Sequence, residues 1–137
     1  MISNKLLNEI DRGRLGLNHG IPMKLPKLES IIDGVTRETY TLILSNSGAG
    51  KTSFALYAYV YRPLMEHLND DDFKVLYFSL EMGEVALYIK LLSIYIFETY
   101  GIQLSFKKIL SREKEYILSD EHYDLVKQCM PWVDKIS

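Results

Sequence analysis

The sequence predicts an α/β fold, a parallel sheet flanked by helices and preceded by a short amphipathic helix, on three observations. An apolar, β-branched segment, Thr39-Tyr40-Thr41-Leu42-Ile43-Leu44, runs into a loop of small residues at 45–50. Helix-compatible spacing follows through residues 53–61, until Pro63 ends or kinks the helix. A second near-continuous apolar run, Lys74-Val75-Leu76-Tyr77-Phe78-Ser79-Leu80, comes after the polar turn at 69–72. Strand, loop, helix, strand is the order of a βαβ unit, whose crossover is right-handed and whose strands lie parallel.

The flanking elements follow from local signals. Ile2, Leu6 and Ile10, with Leu7 beside them, recur at helical spacing, so the first dozen residues form one amphipathic helix. Gly13, Gly16 and Gly20 are expected to break it, and residues up to Pro22 have the composition of a linker. Leu28, Ile31 and Ile32 suggest a brief helical turn stopped by Gly34. Helices are expected at about 84–100, stopped by Gly101, and at 120–130, capped by Ser119 with two acids in its first turn.

A chain of 137 residues, 47% hydrophobic and 25% charged, has enough apolar material for one hydrophobic core. Sixteen basic against 18 acidic residues leave a formal charge of -2, so the overall balance is not that of a basic nucleic-acid-binding domain. Cys129 is the only cysteine, which excludes an internal disulfide and fits a reducing, cytoplasmic setting. The N-terminus is too polar for a secretory signal, and the apolar stretch at 85–97 is too short for a bilayer span of about 20 residues. It reads as a buried helix, with no membrane partner.

The loop Ser45-Asn46-Ser47-Gly48-Ala49-Gly50-Lys51-Thr52 matches the phosphate-loop pattern G-x-x-x-x-G-K-[ST] everywhere except its first glycine. Small residues let successive backbone amides turn toward phosphate oxygens, and the following helix aims its positive end at them. Asn46, Ser47, Gly48, Ala49, Gly50, Lys51, Thr52 and Ser53 are therefore the candidate nucleotide-binding residues. Lys51 supplies charge to the β- and γ-phosphates of ATP, and the Thr52 hydroxyl is the candidate Mg²⁺ ligand. A glycine-rich turn that happens to contain Lys-Thr is the plainer reading, and Ser45 departs from the pattern, although serine fits a tight turn.

Glu81 directly follows the second apolar run, where open α/β sheets place their ligand sites. A carboxylate there can orient and deprotonate water for attack on a γ-phosphate. It can equally begin the next helix, favourably placed near the helix N-terminus.

Three segments resemble the ATPase domain of DnaB-type replicative helicases, within the RecA-like P-loop superfamily. They are the lead-in at 21–34, the phosphate loop at 47–56 and the run Phe78-Ser79-Leu80-Glu81-Met82. The resemblance implies a partial RecA-like P-loop fold, with residues 1–20 as linker helix and loop and 21–137 as the N-terminal part of the ATPase domain. It implies Glu81 as hydrolytic base beside Lys51, ATP and Mg²⁺ as cofactors, and single-stranded DNA as a partner of the parent protein. It also implies a hexameric ring, in which the N-terminal helix packs on a neighbouring subunit; packing on its own domain is the alternative. The family's second metal-binding aspartate ends a later strand. Neither 116–120 nor Trp132-Val133-Asp134 fits that role, so a truncated chain is expected.

The function expected is an ATP-driven DNA helicase motor, against a nucleotide-gated assembly module that holds ATP without hydrolysing it. A small-molecule kinase is disfavoured, since Arg62 and Arg112 are the only arginines beyond the loop. Asp70-Asp71-Asp72 reads as a solvated turn, His19, His67 and His122 lack metal-ligand spacing, and Tyr57, Tyr61, Tyr88 and Tyr95 fall at helical spacing, as packing residues do.

Overall fold

A computed structural model describes residues 1–112 and 114–137 and divides them into two compact units, Met1–His67 and Leu68–Ser137. The first unit opens with helix α1 (Ile2–Arg14), which runs through Gly13 and ends where Gly16 adopts a left-handed φ of 72°. Gly13 therefore does not break the helix; a single glycine costs a helix only about 1 kcal/mol. No residue of α1 is buried, so the stripe of Ile2, Leu6, Leu7 and Ile10 stays uncovered.

After α1 the backbone closes on itself through one antiparallel bridge between Ile21 and Val35, with both amides donating at 2.9 Å. The bridge needs glycine beside each partner. A Cβ on Gly20 would lie 2.0 Å from the Asp33 carbonyl oxygen, and one on Gly34 2.3 Å from that of Ile21. Inside this loop lies helix α2 (Pro26–Glu29), and the Glu29 carboxylate accepts the amides of Met23 (2.6 Å) and Lys24 (3.1 Å). Met23 is wholly buried and Lys24 has a φ of 54°, so the carboxylate holds a turn that the side chain of Lys24 would otherwise disfavour.

The expected parallel sheet is not formed. Among the described residues there is no β-strand, only that bridge and a series of helices, so a RecA-like α/β fold is not what these residues adopt. Residues 39–44 and 74–80 are irregular and lack any β-ladder. Along the second segment Phe73, Val75 and Tyr77 are half-buried while Lys74, Leu76 and Phe78 are exposed, the last two by 81% and 82%. The period-two pattern of a strand survives, but a strand exists only when a neighbour accepts its backbone hydrogen bonds, and a parallel neighbour must come from far along the chain. Apolar patterning reports the first condition and is silent on the second.

From Lys51 the backbone is helical without a gap to Glu66, in three parts: α3 (Lys51–Ala55), a π-helical turn (Leu56–Tyr61) and α4 (Arg62–Glu66). Pro63 accounts for the middle part. Its ring would clash with the Tyr59 carbonyl four residues back, so an α-ladder would be strained there. The chain widens instead, and the Arg62 amide donates to Tyr57, five residues earlier. Leu56, Ala58, Val60 and Tyr61 are buried along this turn, and Tyr57 stacks on Tyr61 at 6.0 Å. Arg62, only 3% exposed, forms an ion pair with Glu66 one turn on.

The second unit is organised by α5 (Glu84–Tyr100), which begins after Gly83 and stops at Gly101, whose φ of 68° gives the left-handed C-cap expected of glycine. Leu91, Leu92 and Ile96 are buried on it. The Ser93 hydroxyl donates to the carbonyl of buried Leu104, tying the segment after the helix back to its flank. Ser105 caps α6 (Phe106–Ile109), and after a 3-10 turn (Lys114–Tyr116) Ser119 caps α7 (Asp120–Gln128) by accepting the His122 amide. Helix α8 (Met130–Ile136) starts with Pro131 in its first turn and places Trp132 face to face with Tyr95 of α5 at 4.2 Å. Cys129 is buried at the α7–α8 junction, where burial pushes its thiol up and a hydrogen bond with Tyr100 opposes that shift.

Because Gly34 combines a left-handed φ with a blocked Cβ position, Gly34→Ala is expected to cost more than about 2 kcal/mol, with strain and steric overlap adding. Urea unfolding followed by circular dichroism measures it; a variant as stable as the parent would show that the bridge is dispensable.

Candidate functional site

Residues 45–50 carry no charged side chain and are exposed throughout. Two left-handed glycines shape the loop, Gly48 at φ 79° and Gly50 at φ 87°. Neither would meet an atom within 4 Å if given a Cβ, so glycine is required here by backbone conformation and not by lack of room. The Ala49 amide donates to the Asn46 carbonyl at 3.3 Å, closing a turn with Ser47 and Gly48 at its centre, and the Ser45 hydroxyl donates to the same carbonyl. Ser45 thus takes the first-glycine position with its hydroxyl engaged locally.

Gly50 is the N-cap of α3 and its carbonyl accepts the Phe54 amide at 2.9 Å. No side chain caps this end. The first-turn amides therefore point into open loop space, and that arrangement suits an anion. Lys51 and Thr52 are the first two helical residues and Ser53 the third; Lys51 and Ser53 are exposed and Thr52 half-buried. Asn46, Ser47, Gly48, Ala49, Gly50, Lys51, Thr52 and Ser53 follow one another along this loop and the first turn of α3.

Glu81 belongs to the other unit. It lies exposed in a bend where the Met82 amide donates to the Ser79 hydroxyl at 2.9 Å. Helix α5 begins only at Glu84, and Glu84 is the acid of its first turn. The helix-start reading of Glu81 therefore does not describe its position.

The remaining polar groups are structural. The side chain and carbonyl of Asp70 accept the amides of Asp72 and Phe73, so the triple aspartate is a hydrogen-bonded turn. Among the described residues no three His, Cys, Asp or Glu side chains are grouped to hold a metal. A Mg²⁺ at this loop would accordingly be held by the Thr52 hydroxyl together with phosphate oxygens and water, a donor set that suits this cation. Asp120 opens α7 and Asp134 lies within α8, so neither ends a strand. Arg62 is buried against Glu66, and the Arg112 guanidinium lies 5.0 Å over the Phe106 ring.

Sequence reasoning passed over the Glu29 clamp on Met23 and Lys24 and the π-helical turn behind the loop. Pro63 was the available signal for the second.

The sequence profile of the DnaB-like helicase C-terminal domain matches residues 20–125. The chain belongs to that family. No individual curated protein and no solved structure matches it. The family match begins at Gly20, the first residue of the bridge-forming lead-in, and takes in the loop at 45–53, Glu81, α5 and most of α7. No helix among the described residues is long and apolar enough to cross a membrane.

Replacing Gly50 with alanine places a Cβ at φ 87° in open space, so only backbone strain is added. The expected loss is about 1 kcal/mol, smaller than for Gly34→Ala, and side-by-side chemical denaturation of the two variants checks the order.

Proposed function

We propose that this DnaB-family chain binds the triphosphate of ATP at the 45–53 loop and contributes to a replicative DNA helicase that couples hydrolysis to strand separation. The observation that carries the proposal is the loop itself: two left-handed glycines, an uncapped helix start, and Lys51 and Thr52 on the first helical turn of a chain in this family. Amides and one ammonium group bind the phosphates, since the loop has no other charge of its own. Lys51 contacts the β- and γ-phosphates and Thr52 holds the cation. Bound Mg²⁺ supplies charge neutralisation at the phosphate oxygens.

Glu81 is the proposed base. Its carboxylate is exposed and the bend that carries it is held by Ser79, leaving both oxygens available to accept a proton from water. Single-stranded DNA, a hexameric ring and cytoplasmic operation belong to the same proposal, which the family match supports. Helix α1 supports the ring, because its Ile2, Leu6, Leu7 and Ile10 stripe is uncovered in this chain and matches an interface helix in chemistry.

Steady-state ATP turnover with and without single-stranded DNA tests the function. Lys51→Ala is expected to abolish nucleotide binding measured by calorimetry. Glu81→Gln is expected to retain binding while losing turnover by about a thousandfold. Tight ATP binding without turnover in the native protein would instead identify a nucleotide-gated assembly module, and absence of binding would overturn the loop assignment. For the ring, Leu6→Glu with Ile10→Glu is expected to lower the mass seen by light scattering; an unchanged mass would remove α1 from the interface.

A further inference from the structure

The π-helical turn lies directly between the phosphate loop and the proline that accounts for it. Two contacts report its register independently. The Arg62 amide reaches the Tyr57 carbonyl five residues back, where an α-helix would use Ala58. The Phe54 ring meets the Tyr59 ring edge to face at 6.2 Å, a pair also five residues apart. In an α-helix such a pair points about 140° apart, whereas a π-ladder brings residues five apart onto one side of the helix.

Were this turn to tighten into α-helix, every residue on its N-terminal side would swing about the helix axis relative to α4 by about 100°, the angle of one residue. Lys51 and Thr52 are on that side, one turn from the π segment, while Arg62 and Pro63 are buried on the other and anchor α4. The register therefore decides which way the phosphate-binding groups face.

We propose that the Leu56–Tyr61 turn is a register switch for the phosphate loop, held by Pro63 in the π state that turns Lys51 and Thr52 toward nucleotide. The switch rests on the nucleotide-binding reading above. The missing amide leaves one ladder carbonyl unserved in either register, but only an α-ladder presses the Pro63 ring against the Tyr59 carbonyl, and the π state relieves that clash. Replacing the proline removes this bias and restores a donor, so the turn relaxes to the shorter ladder that helices ordinarily prefer.

Pro63→Ala tests this, and the substitution favours helix, so the variant folds. Trans-hydrogen-bond couplings by NMR identify the acceptor of the Arg62 amide: Tyr57 in the native protein, Ala58 in the variant, with loss of the Phe54–Tyr59 ring contact. Affinity for ATP with Mg²⁺, measured by calorimetry, is expected to fall by about tenfold or more. A variant that keeps Tyr57 as acceptor would show that the proline does not hold the register. An acceptor change with unaltered affinity would show that the register does not aim the loop, and either result overturns the switch alone. A native protein that binds no ATP overturns the nucleotide reading and the switch together, while the acceptor assignment still reports the register.

Discussion

A proline ring crowds the carbonyl four residues before it, and in the middle of a helical run that crowding must be absorbed by the residues before it. Here the run begins at Gly50, whose left-handed φ of 87° turns the chain from loop into helix, and it reaches Pro63 before α4 is complete. The ladder resolves the conflict by widening between Leu56 and Tyr61. Leu56, Ala58, Val60 and Tyr61 are buried on that turn, Tyr57 stacks on Tyr61 there, and the Arg62–Glu66 pair follows it on α4. Of these the ion pair is the least replaceable, because a buried guanidinium left without its carboxylate is far costlier than the pair is beneficial.

The two glycine pairs show two different demands made by one residue type. Gly20 and Gly34 are needed because backbone comes too close on the other side of the Ile21–Val35 bridge. Gly48 and Gly50 stand in open space, and are needed only for the conformations that let amides converge. The first pair closes the lead-in and the second shapes the exposed loop at 45–50, so one kind of residue meets a steric demand in one place and a conformational one in another.

What was legible in the sequence was what depends on near neighbours. Helix α5 lies where its apolar run and Gly101 put it, Ser119 caps α7, and the loop at 45–53 has the form its small residues imply. The sheet was not legible, because residues 39–44 and 74–80 carry the composition of strands while pairing depends on partners far away in the chain. Helices α6 and α8 were missed although Ser105 and Pro131 are ordinary start signals; each helix is short, and the caps were outweighed by weak periodicity. Of the candidate site, the left-handed glycines of the loop were legible from its small residues, while the role of Glu81 rests on the family resemblance and the structure adds only that it stands clear of α5.

The apolar run that forms no ladder has a consequence for handling the chain. Residues 75–80 contain no charge, no proline and no glycine, and Leu76, Phe78 and Leu80 face outward with idle backbone beside them. That composition is the one that seeds cross-β stacking between molecules. Lys74 and Glu81 bracket the run with opposite charges, the flanking arrangement that opposes such stacking.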